Sequence, residues 1–582
     1  MAADTQRRAK DFRSTFDHAA GGSSASGTGE RPPRLSALTS MRFFAAMSVV
    51  LLHLDAVTPV PYLRSGWTLT QGVSFFFVLS GFILAYVYPS LPTLRSSARF
   101  LGARIARIWP LHLLTLAVAV LLTPYFFHAH IPRLSLALNA LLLHAWVPLP
   151  WAYSSFNGPS FSLSIEWFLY LCFPLLLLGR RWTWPLKLGG ALLLAITMIV
   201  LADQYIHHLP AGVPPVGLVY DNPLARVWEF TLGVFAAHVW RHLWTRVRLT
   251  RTSGTLLELI SLAAVAASFL KANALVLLID RYHALGPGAQ IWLRTAGIPS
   301  LACASLITVA AFGRGWVSWA LSWSPLVLLG EISYSIYMIH GLLLVPLRYR
   351  ADLFLGFSHR ELLLGYLCVV VLVSYVSWLV VEVPARRTLL RWRDRLVTPD
   401  APLDSGRHAS PRSRDSGRRV PTPSWPRAAL ASGCIILLCL PVALNARPPS
   451  VRALRHLQGT AQGTFDQVDG VAQGGGTVTM PPSSGRSGGI PISGWAFDPS
   501  NRSPVQGVFV LIDGKTTVWL RGGRDRPDVA AYFHSRRYEY SGFFGFIPAG
   551  SLPPGPHTIV GKAVLYQPRG YLLLPQITVL VR

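Results

Sequence analysis

Long apolar stretches recur along most of this chain and constrain its fold more than any other feature. Each is about 18 to 22 residues long, the length that a helix needs to cross a hydrocarbon core of roughly 30 Å. They predict ten spanning helices, at residues 35–57, 72–88, 108–127, 163–180, 187–203, 222–241, 255–273, 295–313, 325–346 and 362–382. Hydrophobic residues form 51% of the 582 residues and charged residues only 14%. We therefore expect a polytopic all-α membrane protein embedded in a lipid bilayer.

The basic residues lie mainly at the ends of these stretches. The net charge of +27 would suit a nucleic-acid partner. The sequence has no compact basic domain interleaved with aromatic residues, however, so no nucleic-acid partner is expected. Cytoplasmic loops of membrane proteins are enriched in Lys and Arg. Ten helices would place the basic N-terminal tail and the Arg-rich run after the tenth helix on the same, cytoplasmic side.

This topology predicts six segments. They are a disordered cytoplasmic tail (1–34), a ten-helix transmembrane domain (35–390), a basic cytoplasmic linker (391–426), an eleventh transmembrane helix (427–446), a flexible linker (447–489) and an extracytoplasmic β-sandwich (490–582). The sandwich is predicted from alternating β-branched residues around Asp-Gly turns. A short, proline-bounded apolar piece at 134–149 is predicted to be interfacial or re-entrant.

The first apolar stretch carries Arg42 and His53. Eleven residues are close to three helical turns, so both side chains point to one face, about 16 Å apart along the axis. Snorkelling to the two membrane surfaces would account for either one alone. Ionisable groups deep in a bilayer are costly, however, and commonly face the interior of a helix bundle and mark a functional path.

Other helices carry polar groups at matching depths. The predicted topology gives an inner group of Arg42, Arg104, Arg107 and Glu382 and an outer group of His53, Asp55, Glu166, Arg226 and His340. Arginines suit the phosphates of a cytoplasmic acyl donor. A histidine can act as general base toward a hydroxyl, and a carboxylate such as Glu166 or Asp55 could orient it. The residues leave open whether His53 or His340 acts as a base or carries the acyl group.

Several polar and thiol side chains also have structural interpretations. Glu229 is three residues from Arg226 and can pair with it, and Glu382 can pair with an inner arginine. His112 and His144 are interpreted as interfacial tips, and Tyr334 and Tyr337 suit either helix packing or the site. The five cysteines lie in apolar segments, which predicts neither a disulfide framework nor a zinc site, and no metal is expected.

An ordered set of motifs resembles the acyltransferase 3 family over about residues 35–390. The motifs are the Arg-x10-His spacing of Arg42 and His53, "GVSFFFVLSGFIL" (72–84), "RIARIWPLH" (104–112), "SLSIEWFLYLCFP" (162–174), "PLARVWEFTLG" (223–233), "SYSIYMIH" (333–340) and "VEVP" (381–384).

The resemblance implies a bacterial inner-membrane O-acyltransferase. It would take an acyl group, commonly acetyl, from acyl-CoA and transfer it to a hydroxyl of an exported glycan such as lipopolysaccharide or exopolysaccharide. By the same resemblance Arg42 and His53 are essential, Arg104 and Arg107 handle acyl-CoA, and Glu166 is the acidic site residue. The chain departs from the family at Phe161, where Trp often stands, and at Ser74, where many members have an acidic residue.

The C-terminal segment resembles a small β-sandwich module found beside carbohydrate-active enzymes, through "SGWAFDP" (493–499), "LIDG" (511–514), "RPDVAAYF" (526–533) and "SGFFGF" (541–546). Its aromatic residues Trp495, Phe497, Tyr538 and Tyr540 could stack on sugars, although a core position is the commoner use of such residues. A further possibility is that this module only docks a partner and takes no part in catalysis.

Two functions remain in competition at this point. One is the O-acyltransferase, and the other is a transporter or flippase of a glycan or lipid intermediate with the β-domain as its receptor. Polar clusters would line a path in either protein, but the chain shows no duplicated halves of the kind common in transporters. The acceptor, the acyl chain and the oligomeric state are left open by the sequence.

Overall fold

The structure is a computed structural model that describes two parts of the chain. In the first part it describes residues 35–55, 68–126, 133–179, 181–205, 213–281, 285–349 and 359–397. In the second it describes residues 456–469, 471–472, 477–480, 490–500, 503–505, 507–514, 516–524, 526–533, 538, 541–548, 551–565 and 570–581. The predicted tail (1–34), the linker from residue 398 and the eleventh helix (427–446) lie outside the described residues.

The first part is helical. Its α-helices are α1 (Ser36–Asp55), α2 (Gln71–Val87), α3 (Leu94–Phe126), α4 (Arg133–Ala140), α5 (Pro150–Tyr153), α6 (Phe161–Leu177), α7 (Trp184–Asp203), α8 (Pro215–Val219), α9 (Val227–Trp244), α10 (Arg251–Ile279), α11 (Pro287–Trp292), α12 (Ile298–Ala310), α13 (Trp316–Leu321), α14 (Ser324–Glu331), α15 (Ser333–Tyr349), α16 (His359–Ser377) and α17 (Val383–Val397). Single 3-10 turns lie at His144–Trp146, Gly158–Ser160, Arg181–Thr183 and Pro223–Arg226, and π-helical turns at Leu293–Gly297 and Trp378–Glu382.

Helices lie at all ten places where the apolar stretches predict them. Within the described ranges, seven are long and apolar enough to cross a membrane, or eight when the bent pair α14 and α15 counts as one span. Large apolar side chains such as Leu256, Ile260 and Leu278 on α10 are exposed, which is stable only where lipid covers them. The chain is a polytopic membrane protein, as predicted.

The helices differ from the sequence expectation in three respects. The helix α3 starts at Leu94, before the predicted residue 108, because an amphipathic Arg-rich segment precedes its apolar part. The helices α14 and α15 meet at an angle of 58° instead of forming one straight span. The helix α17 runs on to Val397, so residues 391–397 are helical and not part of a linker.

Two glycines bring α2 and α9 into close contact. A Cβ atom on Gly81 would overlap the carbonyl of Phe230, and one on Gly233 would overlap the carbonyl of Val78. Small residues allow such approach between membrane helices, where van der Waals packing replaces the hydrophobic effect. This contact fixes how α2 is rotated about its axis.

The second part of the chain is one hydrogen-bonded sheet. Its strands are β1 (His456–Thr460), β2 (Gln462–Val468), β3 (Val471–Ala472), β4 (Thr477–Met480), β5 (Ile490–Asp498), β6 (Ser503–Pro504), β7 (Gly507–Ile512), β8 (Thr516–Arg524), β9 (Gly542–Ile547), β10 (Gly555–Leu565), β11 (Gly570–Leu573) and β12 (Ile577–Val581), with helix α18 (Pro527–Tyr532) between β8 and β9. The order along the main path is β1-β11-β10-β7-β8-β9-β5-β2-β3, with β12 pairing β10 and β4.

The sheet folds over onto itself to enclose a core. Four strands separate β2 from β10 along the hydrogen-bonded path, yet a Cβ atom on Gly561 of β10 would lie 2.9 Å from the ring of Phe465 on β2. Phe465 and Val468 of β2 and alternate side chains of β10 are buried in the same core. The all-β domain predicted at the C-terminus is therefore present, with two faces packed together as in a sandwich.

The sheet begins earlier than expected. Strands β1 to β4 occupy part of the segment 447–489, for which a flexible linker is predicted, and they pair with β11, β5, β2 and β12. The Gly and Ser content of this segment suits a linker, but partners distant in sequence supply its hydrogen bonds.

Candidate active site

The helical bundle encloses a cavity of about 150 Å³. We call the end of the bundle near Arg42 the arginine end and the end near His53 the histidine end. Along α2 the cavity extends from Val73 to Leu84, and eleven residues span about 16 Å of helix. Its polar lining consists of Arg42, Ser80, Arg104, Arg107, Ser162, Glu166, Tyr170, Tyr334 and Tyr337.

Arg107 is held by a buried carboxylate. Its guanidinium bonds the Glu382 carboxylate, whose side chain is only 3% exposed, and Ser335 Oγ donates to the second oxygen of Glu382 at 3.0 Å. The guanidinium also lies 5.3 Å from the ring centre of Tyr334. The pairing predicted for Glu382 with an inner arginine is thus present, and it fixes Arg107 in the cavity wall.

Arg104 has a different environment. Its guanidinium carbon lies 5.7 Å from the ring centre of Phe100 and 5.8 Å from that of Tyr170. Its buried Nε has no hydrogen-bond partner among the described residues. Because aromatic faces leave the N–H groups in the guanidinium plane available, Arg104 can receive an anion without giving up a salt bridge.

Glu166 lies with the arginines and not with the histidines. Ser80 Oγ donates to its Oε1 at 3.2 Å, and the Tyr170 hydroxyl, one turn further along α6, donates to the same oxygen. Glu166 acts electrostatically on Arg42 and Arg107. The predicted role of orienting a histidine is therefore not supported for Glu166. The rotation of α6 about its axis points this carboxylate toward α2 and α3, and that rotation cannot be predicted from the depth of a residue along the helix.

The cavity carries excess positive charge. Arg42, Arg104 and Arg107 face two carboxylates, Glu166 and Glu382. Arg386, from the first turn of α17, adds a further positive charge that acts on Arg104, Arg107 and Glu382. In surroundings of low dielectric such an excess favours an anionic ligand.

The two predicted histidines meet although 287 residues separate them in the chain. His53 Nδ1 lies 2.9 Å from His340 Nε2, and their rings stack with centres 5.1 Å apart and planes 19° apart. His340 is completely buried. The structure thus brings together both histidines of the predicted outer group, while Asp55 is the last residue of α1.

Hydrogen bonding assigns the tautomers of this pair. His340 Nδ1 lies 2.7 Å from the carbonyl oxygen of Tyr337, which can only accept, so Nδ1 carries the proton of neutral His340. Its Nε2 is then an acceptor and receives the Nδ1 proton of His53. The basic lone pair of neutral His53 is consequently on Nε2, because the hydrogen bond at one ring nitrogen determines which nitrogen carries the proton.

A second buried network supports the cavity wall. Arg226 and Glu229, both completely buried, form the predicted ion pair at 3.1 Å. Arg226 also donates to Ser74 Oγ at 3.3 Å and stacks 5.2 Å from the ring centre of Phe77, which lines the cavity. Ser74, where relatives of the predicted family often have a carboxylate, instead donates to the carbonyl of Thr295.

Two other histidines were wrongly interpreted as interfacial tips. His112 and His144 are 1% and 0% exposed, with parallel rings 6.4 Å apart. His112 Nε2 bonds the carbonyl of Asn139 at 2.8 Å, and His144 Nε2 lies 3.2 Å from Ser160 Oγ. The segment 133–160 folds over α3 and covers them, which their apolar neighbours in the sequence do not reveal.

Sequence reasoning missed three buried polar residues, two at the histidine end and Ser335, which bonds Glu382 at the arginine end. Asn157, Asp221 and Ser335 are 3%, 5% and 0% exposed. Neither Asn157 nor Asp221 lies in a spanning stretch, and only their burial marks them. In the described ranges, no three His, Cys, Asp or Glu side chains come together in a way that could hold a metal ion.

Comparison with known proteins identifies a family. The sequence model of the acyltransferase domain, Acyl_transf_3, matches residues 35–382, which include all the helices that line the cavity. No solved structure matches the chain. The match favours an enzyme over the transporter hypothesis.

Several curated proteins are similar to this chain. The acyltransferase MdmB of Streptomyces mycarofaciens is 28% identical over 405 residues, which cover 64% of this chain and 97% of that protein. The O-acetyltransferase OatA of Staphylococcus aureus is 24% identical over 326 residues, covering 53% of this chain and 50% of that protein. A putative acetyltransferase, ORF330 of Acidianus two-tailed virus, is 32% identical over 141 residues, or 24% of this chain and 40% of that protein.

Proposed function

As this chain belongs to the Acyl_transf_3 acyltransferase family and is a membrane O-acyltransferase, we propose that it transfers an acyl group, in the first place acetyl, from acyl-CoA to a hydroxyl of an exported glycan. The donor would enter at the arginine end and the acceptor at the histidine end. The observation that carries the proposal is one cavity that begins among three arginines and reaches Tyr337. The ring centre of Tyr337 lies 5.8 Å from that of His340, the hydrogen-bond partner of His53.

The donor site is supported by charge and shape. Guanidinium groups bind phosphates such as those of acyl-CoA well, and Arg104 makes no salt bridge with any residue that the structure describes. Beyond the arginines the cavity is lined by Val73, Phe76 and Phe77, which suit the apolar and amide parts of the pantetheine arm. The distance of about 16 Å between the levels of Arg42 and His53 matches the separation of phosphates and thioester in an extended arm.

The chemical step uses the lone pair of His53 Nε2. The acceptor hydroxyl gives its proton to this nitrogen while its oxygen attacks the thioester carbonyl carbon. The C–S bond breaks, and the imidazolium returns the proton to the leaving thiolate, so that the products are an O-acyl ester and CoA. His340 holds the ring of His53 and its tautomer through the 2.9 Å bond.

Transfer through an acyl-histidine would use the same lone pair. Acetyl-CoA given to the purified protein without an acceptor distinguishes the two routes. A +42 Da adduct on the peptide that contains His53 supports the carrier role, whereas free CoA appearing only after acceptor is added supports the base.

The orientation in the membrane follows from the distribution of basic residues. Arg95, Arg99, Arg104 and Arg107 all precede or begin the apolar part of α3 at the arginine end, which by the positive-inside rule would be cytoplasmic. The protein would then lie in a bacterial plasma membrane. The segment 427–446, as an eleventh helix, would carry the β-domain to the outside.

Two measurements test the function. Purified protein in lipid nanodiscs should release CoA from acetyl-CoA when a hydroxyl acceptor is added, and surface glycans of cells that carry the gene should contain O-acyl groups that cells without it lack. Release of CoA with unchanged surface glycans would move the acceptor to a lipid or small molecule. No acceptor-dependent release would contradict the proposed function.

A further inference from the structure

A buried carboxylate at the histidine end, that of Asp221, has only the charge of Arg226 acting on it and accepts no hydrogen bond within the described part of the chain. Asp221 is only 5% exposed. It stands between α8 and the 3-10 turn Pro223–Arg226 that leads into α9. Buried polar groups are almost always hydrogen-bonded, so an unpartnered carboxylate points to a ligand that is not part of the chain.

A contact of Tyr220, the residue before Asp221, shows at which end of the bundle Asp221 lies. The Tyr220 hydroxyl donates to the carbonyl of Thr70 at 3.4 Å, just before the first residue of α2. The helix α2 enters the cavity from this end, at Val73. Asp221 therefore lies near the end of the cavity opposite to Arg104.

Two more unpartnered groups surround the turn of α15 that carries His340. The Tyr337 hydroxyl is buried and makes no hydrogen bond of good geometry among the described residues, although the Ser162 side chain lies near enough to act on it. Its ring lines the cavity, and the ring centre is 5.8 Å from that of His340. Asn157 Nδ2 donates to the carbonyl of Met338 at 2.9 Å, while its Oδ1 is buried and also without a partner in the described part.

Contacts or electrostatic interactions link all three groups to the turn of α15 that carries His340. A Cβ atom on Gly341, the residue after His340, would lie 3.1 Å from Asn157 Oδ1. Asp221 acts electrostatically on Tyr337 and on Tyr153. Tyr153 itself packs against Gly217 of α8, so the segments 148–160 and 213–226 meet beside the histidine pair.

We propose that Asp221, Asn157 and Tyr337 form the acceptor subsite, which selects an acceptor with several hydroxyl groups, such as a pyranoside, over a simple alcohol. The Asp221 carboxylate, the Asn157 amide oxygen and the Tyr337 phenol have hydrogen-bonding capacity that the described residues leave unused, and neighbouring hydroxyls of a sugar can fill it. One hydroxyl would react at His53 while the others bond this subsite. The proposal rests on the proposed function and adds the residues that determine acceptor specificity.

The test uses the full-length protein in nanodiscs with acetyl-CoA as donor and CoA release as the readout. Methyl α-D-glucopyranoside is compared with cyclohexanol, a ring of similar size with a single hydroxyl. The wild type should favour the pyranoside at least about tenfold in kcat/KM, since sites built to bond a hydroxyl strongly reject analogues that lack it. In Asp221→Asn this preference should fall by about tenfold or more, with the KM for acetyl-CoA unchanged.

Two further variants distinguish a loss of acceptor binding from misfolding of the Asp221→Asn protein. Tyr337→Phe removes one hydroxyl and keeps the ring, and it should reduce the preference in the same direction by several-fold. Asp280→Asn is the matched control, because Asp280 is also buried but accepts from Leu285 N and Gln290 Nε2. It should leave the preference unchanged.

The outcomes separate the subsite from the reaction. A wild type that uses both alcohols equally, or an Asp221→Asn variant with an intact preference, overturns the subsite and leaves the acyltransferase reaction standing. A raised KM for acetyl-CoA in Asp221→Asn would place this residue on the donor side and also overturn it. A wild type that releases no CoA with either alcohol would count against the proposed function itself.

Discussion

The helical bundle and the C-terminal sheet differ in how deeply their ion pairs are buried. In the bundle, Arg226 and Glu229 form an ion pair with both side chains completely buried. In the sheet, Arg526 binds Asp466 and Asp528, whose side chains are 31% and 64% exposed. Only the first pair has lost its water, and its contact atoms meet without a well-directed hydrogen bond.

The difference indicates which charges have a function beyond folding. Removing an ion from water costs several kcal/mol even after pairing, whereas exposed pairs change stability by about 0 to 1 kcal/mol. Charges inside a membrane bundle therefore require a reason other than stability. In the sheet an arginine and two carboxylates tie α18 to β2 at a partly exposed position.

The largest expected effect is that of His53→Ala. Loss of a general base reduces kcat by about 10² to 10⁴, while the helix α1 keeps its apolar surface and still inserts. His242→Ala, an exposed histidine at the end of α9, serves as the control and should keep its activity within twofold. Normal acyl transfer by His53→Ala in a CoA-release assay would show that the pair of histidines is only structural.

The next largest effect concerns the stability of the bundle. Glu229→Gln leaves Arg226 charged and buried without its counter-charge, which costs about 3 to 5 kcal/mol. Replacing both residues by Met and Leu should recover most of that loss. Thermal unfolding in the same detergent gives the comparison, and an unchanged Tm for Glu229→Gln would mean that water reaches this pair.

Donor binding should respond to Arg104 more cleanly than to Arg107. Arg104→Ala removes a phosphate partner without leaving a carboxylate unpaired, so the Kd for acetyl-CoA should rise about tenfold to a hundredfold. Arg99→Ala, an exposed residue one turn earlier on α3, is the matched control. If calorimetry gives the same Kd for Arg104→Ala and the wild type, the arginine end is not the donor site.

Arg526→Ala in the sheet should have a small effect. Its partners are partly exposed, so the free energy of unfolding should fall by about 1 kcal/mol or less. Acetyl transfer to a small acceptor should not change. A loss comparable to that of Glu229→Gln would show that exposure does not separate the two regions.

The smallest expected effect is a pH dependence in the sheet. Burial disfavours the charged form of His557, but its bonds to Asp513 at 2.7 Å and to the carbonyl of Pro553 at 2.6 Å outweigh burial and raise its pKa. A raised pKa gives stability that is fully present below pH 6.5 and is lost as the pH rises through the higher folded value. His557→Gln should remove this slope from the Tm measured between pH 5.5 and 9, and an equal slope in both proteins would contradict the assignment.

The sequence by itself determined the elements of this protein. Ten apolar stretches had the length to cross a membrane, and helices lie at each of them. Helical periodicity alone placed Arg42 and His53 on one face, and the Asp513-Gly514 pair marked a turn in which both residues have positive φ. These features depend on neighbours within about one or two helical turns, or on composition, and so they can be read locally.

The tertiary structure decided which polar groups meet. Glu166 faces the arginines and not the histidines, and His53 pairs with His340. From two connecting segments, Asn157 bonds Met338 and Asp221 acts electrostatically on Tyr337. The residues at 456–480 became strands because distant partners complete their hydrogen bonds. Depth in the membrane follows from position along a helix, but the direction of a side chain depends on how each helix is rotated by its packing, for example where Gly81 and Gly233 let α2 and α9 touch.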